Sequence, residues 1–190
     1  MKLLVLDNYD SFTYNLVHMF RSMNIDHEVY RNDKISPEEA LNFDLIILSP
    51  GPGVPSEAGN MGKIISACAG KKPILGICLG HQAIAEYLGA KLNNMSSVYH
   101  GVKSKINILS NEEIFEGIPE EIEVGRYHSW EVVCEGLPEN ITVTAVDEND
   151  TIMALSDASQ KLYGIQFHPE SVMTEYGKEM IQNFLKIAQL

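Results

Sequence analysis

Hydrophobic positions in the first half of the chain alternate between short continuous runs and segments with helical spacing. The runs predict β-strands at residues 2–7, 27–31, 44–49 and 73–77. Three- and four-residue spacing predicts helices between them at residues 12–23, 61–69 and 79–88. Ser11 is the expected N-cap of the first helix, and Gly89 is expected to end the third. This alternation is typical of an α/β fold with a mainly parallel sheet.

After Gly89 the pattern changes to strand-like segments with few helices between them. These segments are residues 103–109, 122–126, 141–146, 151–156 and 162–167. A last helix is predicted over residues 177–188. We therefore expect an open, mainly parallel sheet flanked by helices, with a small additional antiparallel layer. A chain of 190 residues suits one domain, so residues 1–190 are predicted to form a single unit.

Composition narrows the classes of function. A formal net charge of -12 disfavours nucleic acid and anionic membrane surfaces as partners, because both would repel the protein. No apolar stretch approaches the length of a membrane span or a signal peptide. The three cysteines give neither a disulfide framework nor a zinc pattern, and no histidines have metal-ligand spacing. We expect a cytoplasmic protein.

The segment at residues 73–82, PILGICLGHQ, holds the most informative chemistry. A predicted strand runs directly into a helix, and Cys78 lies at the turn between Gly76 and Gly80. This is the cysteine form of the G-x-S-x-G nucleophile elbow, in which larger side chains would crowd the sharp turn. Helix N–H groups favour negative charge on the sulfur, and the Leu79 N–H is placed to stabilise an oxyanion. Alternatively, Cys78 is a buried core cysteine, as most free cysteines are.

Two further segments follow predicted strands. Residues 50–55, PGPGVP, form a rigid loop where ligands of open α/β sheets bind, although Pro-Gly runs are usually simple turns. His168 and Glu170 flank Pro169, which favours an extended chain with both side chains on one side. A cysteine, a histidine and a carboxylate suit nucleophilic acyl transfer. His81 and His128 are the competing candidates for the base.

Together these segments resemble the class I, triad-type glutamine amidotransferase domain, and the resemblance covers essentially the whole chain. The matching motifs are SPGPG at residues 49–53, GICLGHQ at residues 76–82 and GIQFHPES at residues 164–171. The resemblance implies that Cys78 attacks the side-chain amide of L-glutamine, that His168 moves the protons, and that Glu170 orients His168. It implies no cofactor and no metal.

The same resemblance implies a set of substrate contacts. Gly51, Pro52 and Gly53 approach the substrate, and one N–H of this loop joins Leu79 in the oxyanion hole. The contacts that hold the glutamine come from Gln82 and from the backbone of Ser129 and Trp130. Many relatives carry an aliphatic residue in place of Trp130, which matters little if the contact is made through backbone.

Finer motifs are similar to the chorismate-utilising branch of the family: DNYDSFTYN at residues 7–15, RND at 31–33, RYHS at 126–129 and ESVMT at 170–174. The implied partner is a chorismate-utilising synthase, either anthranilate synthase component I or aminodeoxychorismate synthase component I. We expect the former, with tryptophan biosynthesis as the pathway; the alternatives are the latter, with folate biosynthesis as the pathway, or one glutaminase shared by both synthases. Tyr9, Phe12 and Tyr14 are candidates for the partner surface.

Other interpretations remain open from the sequence. The GMP and CTP synthetase branches are set aside because their synthetase is fused and this chain has no room for one. A peptidase or redox protein with the same elbow would lack the proline–glycine loop and the late histidine. A non-catalytic regulatory subunit would typically have lost Cys78 or His168.

Overall fold

A computed structural model describes residues 1–110 and 112–187, and within these the chain forms eleven strands and five α-helices. The strands are β1 Leu3–Asp7, β2 His27–Arg31, β3 Leu45–Leu48, β4 Ile74–Ile77, β5 Leu92–Asn94, β6 Val102–Ile108, β7 Glu121–Arg126, β8 Trp130–Val132, β9 Thr142–Asp147, β10 Ile152–Asp157 and β11 Leu162–Ile165. The helices are α1 Thr13–Ser22, α2 Pro37–Ala40, α3 Met61–Cys68, α4 Leu79–Tyr87 and α5 Gly177–Ile187. The predicted last helix is thus present, and its final residue, Ala188, lies outside the described residues.

Nine of the described strands form one sheet in the order β2-β1-β3-β4-β11-β10-β9-β6-β7. The five strands from β2 to β11 pair in parallel. The remaining pairs, from β11 through β10, β9 and β6 to β7, are antiparallel. Strands β5 and β8 form a separate small antiparallel sheet. The predicted fold class is therefore confirmed, although all five strands expected in an added layer instead extend the main sheet, and the small sheet consists of two strands that were not predicted.

Helices cover both faces of the parallel half, where β1, β3, β4 and β11 are buried on both sides. Leu3 and Val5 pack with α1 and α5 in one core cluster. Leu4 and Leu6 point to the opposite face and pack with α3 and α4. This alternation follows from the two-residue period of a strand. Such double coverage leaves the ends of the parallel strands as the place where polar side chains can reach solvent and ligands.

The observed helix ends agree only partly with the ends predicted from the sequence. Gly89 has a φ of 97° just after α4, and the N–H groups of Gly89 and Ala90 donate to the carbonyls of Glu86 and Ala85, as in a Schellman ending. The N-cap expected at Ser11 is wrong. Helix α1 begins after Phe12 without a side-chain cap, because the turn before it is bonded to the carboxylates of Asp7 and Asp10 instead.

The short helix α2 was not predicted from the spacing of apolar residues. It is four residues long, too short to show a helical period. Its signal is a capping box, in which the Glu39 N–H donates to Ser36 Oγ and the Ser36 N–H donates to the Glu39 carboxylate. The sequence Ser-Pro-Glu-Glu carries that signal.

In the described part of the chain, no helix combines the length and apolar content needed to cross a membrane.

Candidate active site

The candidate site lies where four parallel strands end. Strands β1, β3, β4 and β11 are neighbours in the sheet and run in the same direction. Asn8 follows β1, the loop beginning at Ser49 follows β3, Cys78 follows β4, and the segment leading to His168 follows β11. Because the carboxyl ends of parallel strands meet at one edge, residues far apart in the sequence converge there.

Cys78 occupies the sharp turn from β4 into α4. Its backbone has a φ of 52° and a ψ of -101°, and its side chain is 6% exposed. A Cβ at Gly76 would overlap the backbone of Gly80, and a Cβ at Gly80 would lie 2.6 Å from the Leu48 carbonyl oxygen. The expectation that glycine is needed on both sides of the turn is therefore confirmed. The helix N-terminus at Leu79 begins directly beside the sulfur.

His168 and Glu170 are joined by a hydrogen bond of 2.7 Å between His168 Nδ1 and Glu170 Oε1. The expected pairing is thus present, but its geometric reason differs from the extended chain that Pro169 predicted. The N–H of Ser171 donates to the carbonyl of His168, so residues 168–171 form a turn with proline at its second position. The turn brings the carboxylate back to the ring and leaves Nε2 for other contacts.

The charge state of His168 follows from its two partners. Burial lowers its pKa, but contacts with the side chains of Cys78 and Glu170 outweigh burial and raise the pKa to about 10. The Glu170 carboxylate thus favours the imidazolium, and Cys78 lies close enough to interact with it. Tyr127 contacts both residues, with its carbonyl 4.0 Å from Cys78 Sγ and its ring 4.9 Å from the His168 ring, so Cys78 and His168 lie close together as assumed from the sequence. An imidazolium at this position favours negative charge on a neighbouring atom.

Two aromatic rings cover His168. Phe12 and Tyr127 each lie 4.9 Å from the His168 ring centroid, and their own centroids are 4.8 Å apart. Phe12, predicted as a candidate for the partner surface, therefore packs against the histidine. Tyr9 and Tyr14 are exposed, at 50% and 64%. Aromatic packing excludes water from the face of the ring and limits its rotation.

The proline–glycine loop lies against the elbow. A Cβ at Gly51 would lie 2.7 Å from Leu79 Cδ2 and 2.6 Å from Asn8 Cβ, so only glycine fits there. Gly53 has a φ of 74°, in the region that favours glycine. A cavity of about 290 Å³, lined in part by Pro52, Leu79 and Asn8, lies beside the loop. The loop therefore has space next to it for a change of peptide orientation.

Gln82 and the segment at Ser129 and Trp130 lie together, as expected, but Gln82 is already engaged. Its Nε2 donates to the Trp130 carbonyl and to Gln166 Oε1, at 3.1 Å each. The Ser129 carbonyl accepts from the N–H of Met95 at 2.8 Å. The amide nitrogen of Gln82 is thus turned toward the strand that carries Trp130.

The two competing histidines are buried and neutral. His81 is 0% exposed behind the elbow, and burial lowers its pKa to about 3. A Cβ at Gly164 would lie 2.7 Å from its Nδ1, so the ring packs directly on β11. Burial and the nearby charge of Arg126 lower the pKa of His128 to about 4. The ring of His128 bonds to the Trp130 carbonyl through Nδ1, at 2.8 Å.

Several residues at the site were not identified from the sequence. Asp147 and Tyr99 contact Arg126 behind the segment at Ser129, and Gln166 contacts Gln82. The sequence offers no signal for Asp147, since it is 21 residues from Arg126 and meets it only in the folded sheet. Within residues 1–110 and 112–187, no cluster of three His, Cys, Asp or Glu side chains is arranged to hold a metal ion.

Comparison with known proteins agrees with this geometry. The family model described as glutamine amidotransferase class-I matches residues 4–188. Anthranilate synthase component 2 of Pseudomonas aeruginosa is 44% identical over 191 residues, covering 97% of this chain and 94% of that protein. Aminodeoxychorismate/anthranilate synthase component 2 of Bacillus subtilis is 44% identical over 186 residues, covering 97% and 95%.

A solved structure is also similar at the level of the whole chain. It is the crystal structure of a protein provisionally assigned as one of the subunits of GMP synthase, from Thermoplasma acidophilum, with a TM-score of 0.89 and 32% identity. The match covers 100% of this chain and 94% of that one. Setting aside the GMP synthetase branch because of chain length was therefore wrong, because a protein bearing that name has nearly the same extent.

Proposed function

The chain belongs to the class I glutamine amidotransferase family, and from this premise we propose that it is the glutaminase subunit of a chorismate-utilising synthase. It hydrolyses L-glutamine to glutamate and passes the ammonia to a separate synthase chain. Anthranilate synthase component I is the first candidate partner, and aminodeoxychorismate synthase component I is the second. The observation that carries the proposal is the joining of Cys78, His168 and Glu170 at one sheet edge.

The proposed first half-reaction releases ammonia. The Cys78 thiolate adds to the side-chain amide carbon of glutamine, and the negative charge moves to the amide oxygen. The Leu79 N–H, at the start of α4, and one N–H of the loop at residues 51–53 would stabilise that oxygen. His168 then donates its Nε2 proton to the leaving nitrogen, the C–N bond breaks, and a γ-glutamyl thioester remains.

The second half-reaction regenerates the cysteine. Neutral His168 accepts a proton from water while the water oxygen attacks the thioester carbon. Collapse of this intermediate expels the Cys78 thiolate, and glutamate leaves after losing a proton to solvent. Glu170 holds Nδ1 of the ring at 2.7 Å throughout, so Nε2 always faces the reacting atoms. The imidazolium and the thiolate are then both restored.

The two chorismate-utilising relatives, each 44% identical, support this branch over the GMP synthase assignment of the structure at 32% identity. The exposed rings of Tyr9 and Tyr14 suit a partner surface at the same edge of the sheet. Action in the cytoplasm remains part of the proposal, since the three cysteines stay free.

Coupling to the partner gives the test. Ammonia is protonated in neutral water and then cannot act as a nucleophile, so hydrolysis without a partner would waste glutamine. We expect docking to complete the oxyanion hole by moving the loop at Gly51 and Gly53 into the adjacent space. One oxyanion donor is worth ~10²–10³ in rate, which sets the expected activation by partner plus chorismate.

The measurement is glutamate release by the isolated chain, by its complex with each candidate synthase, and by each complex with chorismate. Activation by one synthase alone would identify the partner, and activation by both would indicate a shared glutaminase. Equal rates in every sample would refute the coupling. Activation by a GMP-forming synthetase instead would assign the chain to the GMP synthetase branch of the family.

A further inference from the structure

We propose that Arg126, held by Asp147, is a positioning residue for glutamine binding: it orients His128, which together with Gln82 fixes the backbone at Trp130. This inference rests on the proposed function and adds residues to the same site. Arg126, Asp147 and His128 need not touch glutamine. They act on the backbone segment that the family resemblance assigns to the substrate, and Gln82, which the resemblance also assigns to the substrate, bonds to the same backbone.

The first link is a buried ion pair. Arg126 Nη1 donates to Asp147 Oδ2 at 2.6 Å, and both side chains are 1% exposed. Asp147 Oδ1 accepts the backbone N–H groups of Asn149 and Thr151 at 2.9 Å each, so the carboxylate is fixed from both sides. The Arg126 guanidinium lies 3.6 Å above the Tyr99 ring. The ion pair and the Tyr99 ring thus hold the guanidinium in place from two directions.

The second link sets the tautomer of His128. Arg126 Nε is always protonated and donates to His128 Nε2 at 3.0 Å, so Nε2 must be the unprotonated nitrogen. The proton therefore lies on Nδ1, which donates to the Trp130 carbonyl at 2.8 Å. Tyr99 stacks on the ring at 5.5 Å between centroids and prevents it from turning over. The guanidinium, which Asp147 holds in place, thus determines that His128 donates from Nδ1 rather than from Nε2.

The third link is the Trp130 carbonyl itself, which accepts two hydrogen bonds. His128 donates from one side and Gln82 Nε2 from the other, at 2.8 Å and 3.1 Å. Together with the bond from Met95 to the Ser129 carbonyl, they fix successive peptide planes. The Tyr127 carbonyl of the same segment lies 4.0 Å from Cys78 Sγ. The fixed segment therefore continues directly into residues that lie beside the sulfur.

The groups around His128 oppose its protonation. Burial is the largest cause of its lowered pKa, and the charges of Arg126 on β7 and His168 beyond β11 act in the same direction. The hydrogen bond to the Trp130 carbonyl and the charge of Asp147 on β9 act against them, and His81 is neutral. A neutral His128 keeps Nε2 as the acceptor for Arg126, so the ring stays oriented with Nδ1 donating to the Trp130 carbonyl.

The kinetic test removes the ion pair as a unit, since deleting one partner would leave a buried charge. The variant Arg126→Met with Asp147→Asn is measured in complex with the synthase. We expect the KM for glutamine to rise ~10-fold, as for loss of about one hydrogen bond, with kcat changed less than ~2-fold. The matched control is Lys105→Met with Glu121→Gln, which removes an exposed ion pair between β6 and β7.

A double-mutant cycle shows whether Arg126 acts through His128. His128→Leu keeps the ion pair, so it remains informative if the first variant does not fold. We expect it to raise KM to the same extent, and the combined variant to show no further rise. Independent, additive effects would overturn the relay. A merely structural role would lower kcat with the active fraction and leave KM unchanged.

The tautomer of His128 can be measured directly on the full chain and tests whether Arg126 orients the ring. In ¹⁵N-histidine spectra we expect His128 in the neutral Nδ1–H form from pH 5 to 8, and a mixed or Nε2–H form in the ion-pair variant. An Nε2–H form in the unmodified chain would also overturn the proposal. Failure of the proposed function looks different, because the unmodified complex would then not turn over glutamine at all.

Discussion

The two halves of the main sheet make unlike contributions to the site. The parallel half carries the groups that we propose to react: Cys78 follows β4, His168 follows β11, and the proline–glycine loop follows β3. The antiparallel half carries no reacting group in this assignment. It supplies Arg126 at the end of β7 and Asp147 at the end of β9, which hold the backbone near Trp130.

In the proposed function, chemistry and substrate recognition are thus divided between the two halves of the sheet. Parallel strand ends converge, so they bring together residues that must exchange atoms and protons. Antiparallel neighbours exchange hydrogen bonds along their length, so they suit rigid placement of one backbone segment. Substitutions in the first half should therefore change kcat, and those in the second half should change KM.

The greatest loss of activity is expected at Cys78. Cys78→Ser fits the elbow, but a hydroxyl is far less ionised than a thiol at neutral pH. We expect glutamine-dependent turnover of the complex to fall by ~10⁴-fold or more, while turnover with added ammonium salt is retained. Ammonia-dependent activity controls for partner binding. A variant that keeps more than a few per cent of glutaminase activity would exclude Cys78 as the nucleophile.

A smaller but still large loss is expected at His168. His168→Ala should lower kcat by ~10²–10⁴-fold, the usual range for a general acid–base residue. His81→Ala is the matched comparison, since His81 lies close to the elbow in sequence but is fully buried and neutral. That variant should lose stability more than kcat. A greater loss of kcat from His81→Ala, measured on folded protein, would reverse the assignment.

The least change is expected at Trp130. Its carbonyl accepts both positioning hydrogen bonds, whereas its side chain is only partly buried. Trp130→Leu keeps the backbone and should change the KM for glutamine by less than ~2-fold, as measured by initial rates of glutamate release. A rise comparable with that of the Arg126 variant would mean that the indole itself contacts the substrate.

The sequence predicts the parallel half better than the antiparallel half. Only glycine fits on either side of the sharp turn at the elbow, so Gly76 and Gly80 identify Cys78 from the sequence alone. Pro169 similarly marks His168, although through a turn rather than an extended chain. These signals are local, because each motif spans fewer than ten residues.

The antiparallel half depends on contacts that no local pattern encodes. Arg126 and Asp147 meet only because β7, β6 and β9 are adjacent in the sheet. The amphipathic pattern of those strands predicts their existence but not their order, which is why they were expected as a separate layer. Gln82 was correctly located near Trp130, but its bond to that carbonyl depends on the register of the small sheet.

The strained backbone of Cys78 limits how far the protein can be stabilised. A non-glycine residue with a φ of 52° and a ψ of -101° stores about 1–3 kcal/mol of strain, which the surrounding structure must offset. Glycine at this position would relieve the strain and abolish the nucleophile. Thermostability and activity are therefore opposed at one residue, and directed evolution for stability alone would select against catalysis here. Stabilising changes in an engineered version would have to be sought elsewhere in the chain.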